Sequence, residues 1–267
     1  MRACWVARWR SCSLHRSFHT GPSDVRPTNP RSTLLQQTPR ERADEKTRLV
    51  CSWLAIFGHS TESVIRDMLA IKARGICARL ARHGLLMPVA VALSNVRTWA
   101  LTPEGLRIAE LALGRRVTYV SHPERLTLSR LTHELLLQRE VVARLTTDMR
   151  SLQRFRADRE LRHLRSAVRP DLLVRDVQPD DSERTVCIEL EVTSKGSNEL
   201  GAKMRAMIAI MNSRTEWFWY VSEGQAACDR YRRCWEEAVS EHGYGVGMTH
   251  AELLRACTFE VAEATRA

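Results

Sequence analysis

No apolar run in the 267-residue chain approaches the roughly 18 to 20 residues needed to cross a bilayer, so insertion into a membrane is not expected. None of the eight cysteines, at 4, 12, 51, 77, 187, 228, 234 and 257, stands in a CxxC pair or in a Cys/His cluster at zinc spacing. A structural metal site is therefore not expected, and the cysteines read as reduced packing residues of a cytoplasmic protein. The chain has no GxxxxGK[ST] to cradle nucleotide phosphates, no GxSxG elbow and no HExxH. Tyrosines 119, 220, 231 and 244 have no HxH cluster to serve them, so a covalent phosphotyrosyl mechanism with a three-histidine metal site has no support in the text.

What is present is globular in composition. Apolar residues make up 44% and charged residues 27%, which excludes wholesale disorder, and the length suits two compact units. Forty-one Lys and Arg against thirty-one Asp and Glu leave a net charge of +10, which points toward polyanions, nucleic acid first.

Residues 1–43 carry Arg, Ser and Pro without a sustained apolar period, and the first acidic residue is Asp24. The segment reads as disordered and basic, in the manner of a transit peptide or of a start codon placed too far upstream. Residues 44–113 follow as helix, helix, basic helix, hairpin and helix. Their segments are TRLVCSWLAIFG from Thr47, SVIRDMLA behind Ser60-Thr61-Glu62, IKARGICARLARHG, then LLMPVAVAL and RTWALT around Ser94-Asn95, then TPEGLRIAEL. That order is the order of a winged helix-turn-helix. Its third helix, about Ala73–His83, buries Ile76, Leu80 and Leu85 and leaves Lys72, Arg74, Arg79 and Arg82 outward for the major groove, with Arg97 on the wing. A three-helix bundle with a solvated basic face is the plainer alternative.

Residues 114–123 read as a linker and 124–267 as a second domain. The long amphipathic helix LTLSRLTHELLLQREVVARLTTDM precedes a helix or turn at Arg159-Glu160-Leu161, an extended DLLV, the acidic loop QPDDSE, a strand VCIELEV, a helix ELGAKMRAMIAIMN, a strand EWFWYV and a helix AACDRYRRCWEEAVSEH. Alternating helices and strands predict an α/β (α+β) domain, a mixed sheet with helices on its faces. Trp217, Phe218, Trp219 and Tyr220 read as a buried strand, and His133 as a packed or capping histidine.

The chemistry concentrates in Arg169-Pro170-Asp171, Glu189-Leu190-Glu191 and Lys195. Side chains alternate along a strand, so Glu189 and Glu191 share one face. Taken alone, an ELE strand is a half-exposed surface strand. Two carboxylates on one face of an otherwise apolar strand repel each other unless water or a cation intervenes. A divalent metal with oxygen ligands removes that repulsion, and Asp171 on a neighbouring strand can add a ligand.

Pro170-Asp171, Glu189-x-Glu191 and a nearby lysine resemble the PD-(D/E)XK nuclease core. The larger order over residues 47–222 resembles the replication-relaxation family, and within it the MobC-type plasmid mobilisation relaxases. That order is a winged helix, HELLLQR at 133–139, Arg159-Glu160-Leu161, RPD, IELEVTSK and Lys203. The resemblance implies a restriction-endonuclease-like sheet in which Asp171 and Glu189 bind Mg²⁺ or Mn²⁺ and Glu160 completes the acidic set. Glu191 replaces the family's lysine and is a further metal ligand or the general base. Lys195 or Lys203 then supplies the cation that stabilises charge on the phosphate.

The function this implies is metal-dependent nicking of double-stranded plasmid DNA at an origin, for mobilisation or replication relaxation, with an accessory or coupling protein as a further partner. Two alternatives stand beside it: a non-catalytic DNA-binding accessory protein on a degenerate nuclease fold, and a dimeric transcriptional repressor.

Overall fold

A computed structural model describes residues 38–89, 96–119, 127–145, 148–161, 168–177, 183–193, 195–243 and 247–262. The basic segment up to residue 37, the turn Ser94-Asn95, the end of the connector at His122-Pro123 and the acidic loop from Gln178 to Ser182 lie outside the described residues. The chain is a mixed α and β protein whose described residues form two sheets and divide into two units. One comprises 38–89, 96–119 and 148–153; the other comprises 127–145 and everything described from 154 onward. No helix among the described residues is long and apolar enough to cross a membrane.

The first unit begins with α1 (Pro39–Phe57), five residues ahead of the boundary expected at 44. The cause is local: Thr38 and Glu41 form a reciprocal capping box and Pro39 occupies the first helical position, where its missing N–H costs nothing. Every residue from Val50 to Phe57 is buried. Next come β1 (Ser60–Thr61), α2 (Glu62–Met68), α3 (Ile76–Arg82), β2 (Leu86–Val89), β3 (Thr98–Leu101) and α4 (Pro103–Leu113). The three strands form an antiparallel sheet in the order β1-β3-β2. Helix α3 is shorter than expected: Gly75, left-handed at φ 86°, precedes it, so Lys72 and Arg74 lie on the approach to the helix and not on it. Leu85 is buried but follows the helix.

The connector also differs from expectation over its first half. Tyr119 Oη donates to the Gly58 carbonyl at 2.8 Å and accepts from the Leu101 amide at 2.7 Å, which fastens residues 115–119 to the first unit. The long helix expected after it is α5 (Leu128–Arg144), capped by Thr127. The next short helix, α6 (Met149–Arg154), begins in the first unit.

The second unit is built on a five-stranded mixed sheet, β4 (Phe155–Ala157), β5 (Leu172–Val177), β6 (Glu183–Glu191), β7 (Thr215–Val221) and β8 (Cys257–Val261), in that spatial order. The first two pairings are antiparallel and the last two parallel. Besides α5 it carries α7 (Asp158–Leu161), α8 (Ser197–Ile208), α9 (Gln225–His242) and α10 (His250–Arg255). Leu200, Met204 and Met207 of α8 and Tyr231, Trp235 and Val239 of α9 pack on Cys187, Trp217 and Trp219 in one apolar core. At roughly 1.5–3 kcal/mol for each large side chain fully buried, this core is the main stabiliser of the unit. Trp217, Trp219 and Tyr220 are buried, as a strand of that composition predicts. β6 is central, and residues 186 to 191 are buried without a break, so the ELE segment is not a half-exposed surface strand.

Candidate active site

The site forms where the β5–β6 ladder stops. Leu172 pairs with Ile188, and the same register carried two steps further sets Pro170 opposite Leu190. Proline has no N–H and cannot continue the ladder. Leu190 therefore finds other partners: its amide donates to Asp171 Oδ2 at 2.8 Å, and its carbonyl lies 3.0 Å from His133 Nε2. Asp171 is held a second way, because the Asp158 amide at the start of α7 donates to its carbonyl at 3.0 Å. Thus RPD acts as a unit, with proline ending the ladder and aspartate filling the gap.

Glu189 and Glu191 alternate with Ile188 and Leu190, as read from the sequence, and share the face of Cys187, on which α8 and α9 pack. Each is only 5% exposed. Such carboxylates require partners, and each has a lysine: Lys203 of α8 pairs with Glu189 Oε1, and Lys195 pairs with Glu191 Oε2. Lys203 Nζ also stands 4.8 Å from the centre of the Trp219 ring, the neighbour of Glu189 on β7. The Tyr231 hydroxyl of α9 lies 3.5 Å from the Lys195 amide.

The electrostatics are unbalanced at Glu189. Burial, with the charge of Asp171 added, raises its carboxyl to about 7 against the opposing pull of Lys203 and Lys195. Its Oε2 atom is buried and has no hydrogen-bond partner among the described residues. Burial disfavours the His133 cation, but the hydrogen bond and charge of Asp171, the Leu190 carbonyl and the charge of Glu189 carry it up to about 9. Burial works against the Lys195 cation as well, and Glu191 outweighs it, so that pKa is raised. Burial and the charge of Glu191 raise the Tyr231 phenol.

Four of the six expected site residues are therefore assembled in two ion pairs, and Asp171 is coupled to Glu189 across the strands. Glu160 is buried on α7, the helix whose first amide anchors Asp171. Beside the pairs a cavity of about 430 Å³ opens, lined by Asp158, Arg169, Glu199 and Lys203 with the small Ala202 and Ala206. Arg169 and His133 belong to this neighbourhood and were not assigned to the site from the sequence. Pro170 was the available signal for His133, since a proline beside a strand end leaves a carbonyl for another side chain to satisfy.

Among the described residues no group of three or more His, Cys, Asp and Glu side chains is arranged to hold a metal ion. The donor set fits a lighter site. Among the described residues Glu189 Oε2 is unsatisfied, and the Asp171 carboxylate shows hydrogen bonds only at Oδ2. Two hard oxygens suit Mg²⁺ or Mn²⁺, since Mg²⁺ is commonly held by one or two carboxylates together with water and phosphate oxygens. Glu191, occupied by Lys195, is not in position to join them.

In the first unit, Lys72, Arg74, Arg79, Arg82 and Arg97 are all exposed. None of the five is in an ion pair with a carboxylate among the described residues. Set against family models, curated proteins and solved structures, the chain matches none.

Proposed function

We propose that the protein is a divalent-metal-dependent DNA endonuclease that nicks plasmid DNA at an origin of transfer or replication. Its first unit acts as a winged helix-turn-helix and its second as a PD-(D/E)XK nuclease domain. The observation that carries the reading is the coupling of Asp171 and Glu189 at a broken ladder, with an unsatisfied buried carboxylate oxygen and two lysines on the carboxylates of the same strand. Buried charge costs stability unless something binds it, and a perturbed carboxylate beside a cavity marks a functional-site candidate.

Asp171 and Glu189 would hold a Mg²⁺ or Mn²⁺ ion, which would supply Lewis-acid charge for the scissile phosphate and for activation of water. The chain does the rest. Lys203, paired with Glu189 at the wall of the cavity, is placed to offer its ammonium to the phosphate. Arg169 adds a second cation at that wall. Glu191, paired with Lys195, serves as the proton acceptor. In the first unit, the strand order β1-β3-β2 with a helix on each side of β1 supports the winged-helix reading, with α3 and its arginines as the DNA-facing element.

The test is the full chain on supercoiled plasmid carrying its own origin, with Mg²⁺, Mn²⁺ or EDTA. Metal-dependent open circles that disappear in Asp171→Ala and Glu189→Ala, with duplex binding retained, are the expected result. Unchanged nicking in both variants refutes the proposal.

One observation favours a second reading, the non-catalytic DNA-binding protein. Both lysines are already neutralised by carboxylates, a combination that a scaffold can carry without metal. It expects salt-sensitive duplex binding with no metal requirement and no product.

A further inference from the structure

We infer that His133 is a positioning residue that fixes the Asp171 carboxylate so that Oδ2 is committed to the protein and Oδ1 is the oxygen left for a ligand. The inference rests on the metal-site reading above. It adds a residue from α5, an element with no assigned part in the chemistry.

The geometry is specific. His133 Nε2 lies 3.0 Å from the Leu190 carbonyl oxygen and 3.3 Å from Asp171 Oδ2. Both neighbours are acceptors, so Nε2 must carry the hydrogen and share it between them. That holds for the neutral ring as well as for the cation, so the role does not depend on the protonation of the other ring nitrogen. Asp171 Oδ2 thus receives two donors, the Leu190 amide at 2.8 Å and the imidazole. Two donors from different directions fix the plane of a carboxylate that one donor leaves free to turn.

The sequence explains why a histidine is required at this place. A backbone carbonyl beyond a strand end needs a donor, and the residue opposite Leu190 in the extended register is Pro170, which has none. The donor must come from another element and must also reach the carboxylate that fills the same gap. From α5, a flat ring with an N–H at its far end does both. An apolar ring of similar shape would keep the packing and remove both contacts.

The experiment titrates the full-length protein with Mn²⁺ and follows free Mn²⁺ by electron paramagnetic resonance, in wild type, Asp171→Asn, His133→Phe and His133→Gln. Asp171→Asn should remove the tight site. His133→Phe should weaken it about 10- to 100-fold, the usual effect of losing a group that orients a ligand. His133→Gln keeps an N–H of similar reach and should recover to within about threefold of wild type. That rescue separates orientation from mere packing, which Phe preserves better than Gln. If His133→Phe does not fold, the comparison passes to His133→Gln against His133→Asn, whose amide falls short, and Gln must bind more tightly. Wild-type affinity in His133→Phe, or equal affinity in Gln and Asn, with Asp171→Asn at background overturns the inference alone. A wild type that binds no Mn²⁺, or an Asp171→Asn that binds it equally well, overturns the metal reading and the inference with it.

Discussion

Replacing Lys203 by Met keeps the shape of a straight chain against α8 and Trp219 while removing the cation paired with Glu189 Oε1. Glu189 is then a buried carboxylate with its second oxygen already unsatisfied and Asp171 still adding negative charge. Breaking one side of such a pair costs about 3–5 kcal/mol when the remaining charge stays in place. The cost must depend on pH. The folded carboxyl at about 7 lies above its ordinary value of 4.5 even with Lys203 present, so its favourable contribution is complete below 4.5 and is lost as pH rises through 7. Without Lys203 the folded value moves higher, and the loss continues further up the pH scale. From pH 5.5 to pH 8 the difference between the two proteins can grow by at most about 1.4 kcal/mol, because the wild-type carboxyl loses its proton only near 7, so Lys203→Met should lose no more than about 1 kcal/mol at pH 5.5, where Glu189 is protonated in both proteins, and about 1–2.5 kcal/mol at pH 8. Glu189→Gln leaves a lysine at the wall of a cavity where water reaches it, and should cost at most about 1 kcal/mol at pH 8. The double variant should resemble Glu189→Gln. Hydrogen exchange of peptides spanning 186–191 and 215–221 in the native chain reads the stability of the second unit itself. At 1.4 kcal/mol per decade, the expected acceleration at pH 8 is roughly five- to sixtyfold, about tenfold beyond that at pH 5.5. Equal effects of Lys203→Met at the two pH values, or no effect at either, refute the reasoning.

Two further outcomes concern the first unit. A Cβ at Gly105 would stand 2.1 Å from the Leu85 carbonyl oxygen, a backbone atom that also accepts from the Thr102 amide, so Gly105→Ala should destabilise this unit by at least about 2 kcal/mol despite its gain in helix propensity; an unchanged thermal midpoint for that unit shows that α4 shifts freely. Arg79→Ala with Arg82→Ala should weaken duplex binding and, if both arginines touch phosphates, lower the slope of log K against log salt by nearly 2; an unchanged slope removes α3 from the DNA interface.

The regular elements were legible because their signals are local. Thr102, Pro103 and Gly114 bound α4 in the sequence as they do in space, and the alternation of 188 to 191 gave the faces of β6 correctly. What escaped depends on contacts distant in the chain. The first residues of α1 carry too little apolar periodicity to stand out from the basic segment, and only the Thr38–Glu41 box reveals them. Residues 115–119 read as a linker because the two bonds of the Tyr119 hydroxyl, to Gly58 and Leu101, leave no trace in their own neighbourhood. The last strand, β8, was missed because its short mixture of Cys, Thr, Phe, Glu and Val becomes a strand by pairing in parallel with β7.

The carboxylates of the site were found by pattern, but their pairing was not. The expectation joined Asp171, Glu189 and Glu191 around one ion, whereas the fold gives each glutamate its own lysine and leaves the imbalance between Asp171 and Glu189. The reason lies in the pleat. Residues at i and i+2 on one face stand far enough apart for separate cations, and helix α8 with the chain leading into it supplies two. Where Pro170 ends the ladder the Asp171 side chain bends onto the Leu190 amide, and from there its charge acts on Glu189. The proline that looks like a turn residue in the sequence is therefore the residue that creates the carboxylate pair. Restoring an N–H there, as in Pro170→Ala, offers the Leu190 carbonyl a backbone partner and competes with His133 for it. The variant should bind Mn²⁺ more weakly while unfolding no more easily than wild type, and tighter or equal Mn²⁺ binding would show that the ladder break is not what assembles the site.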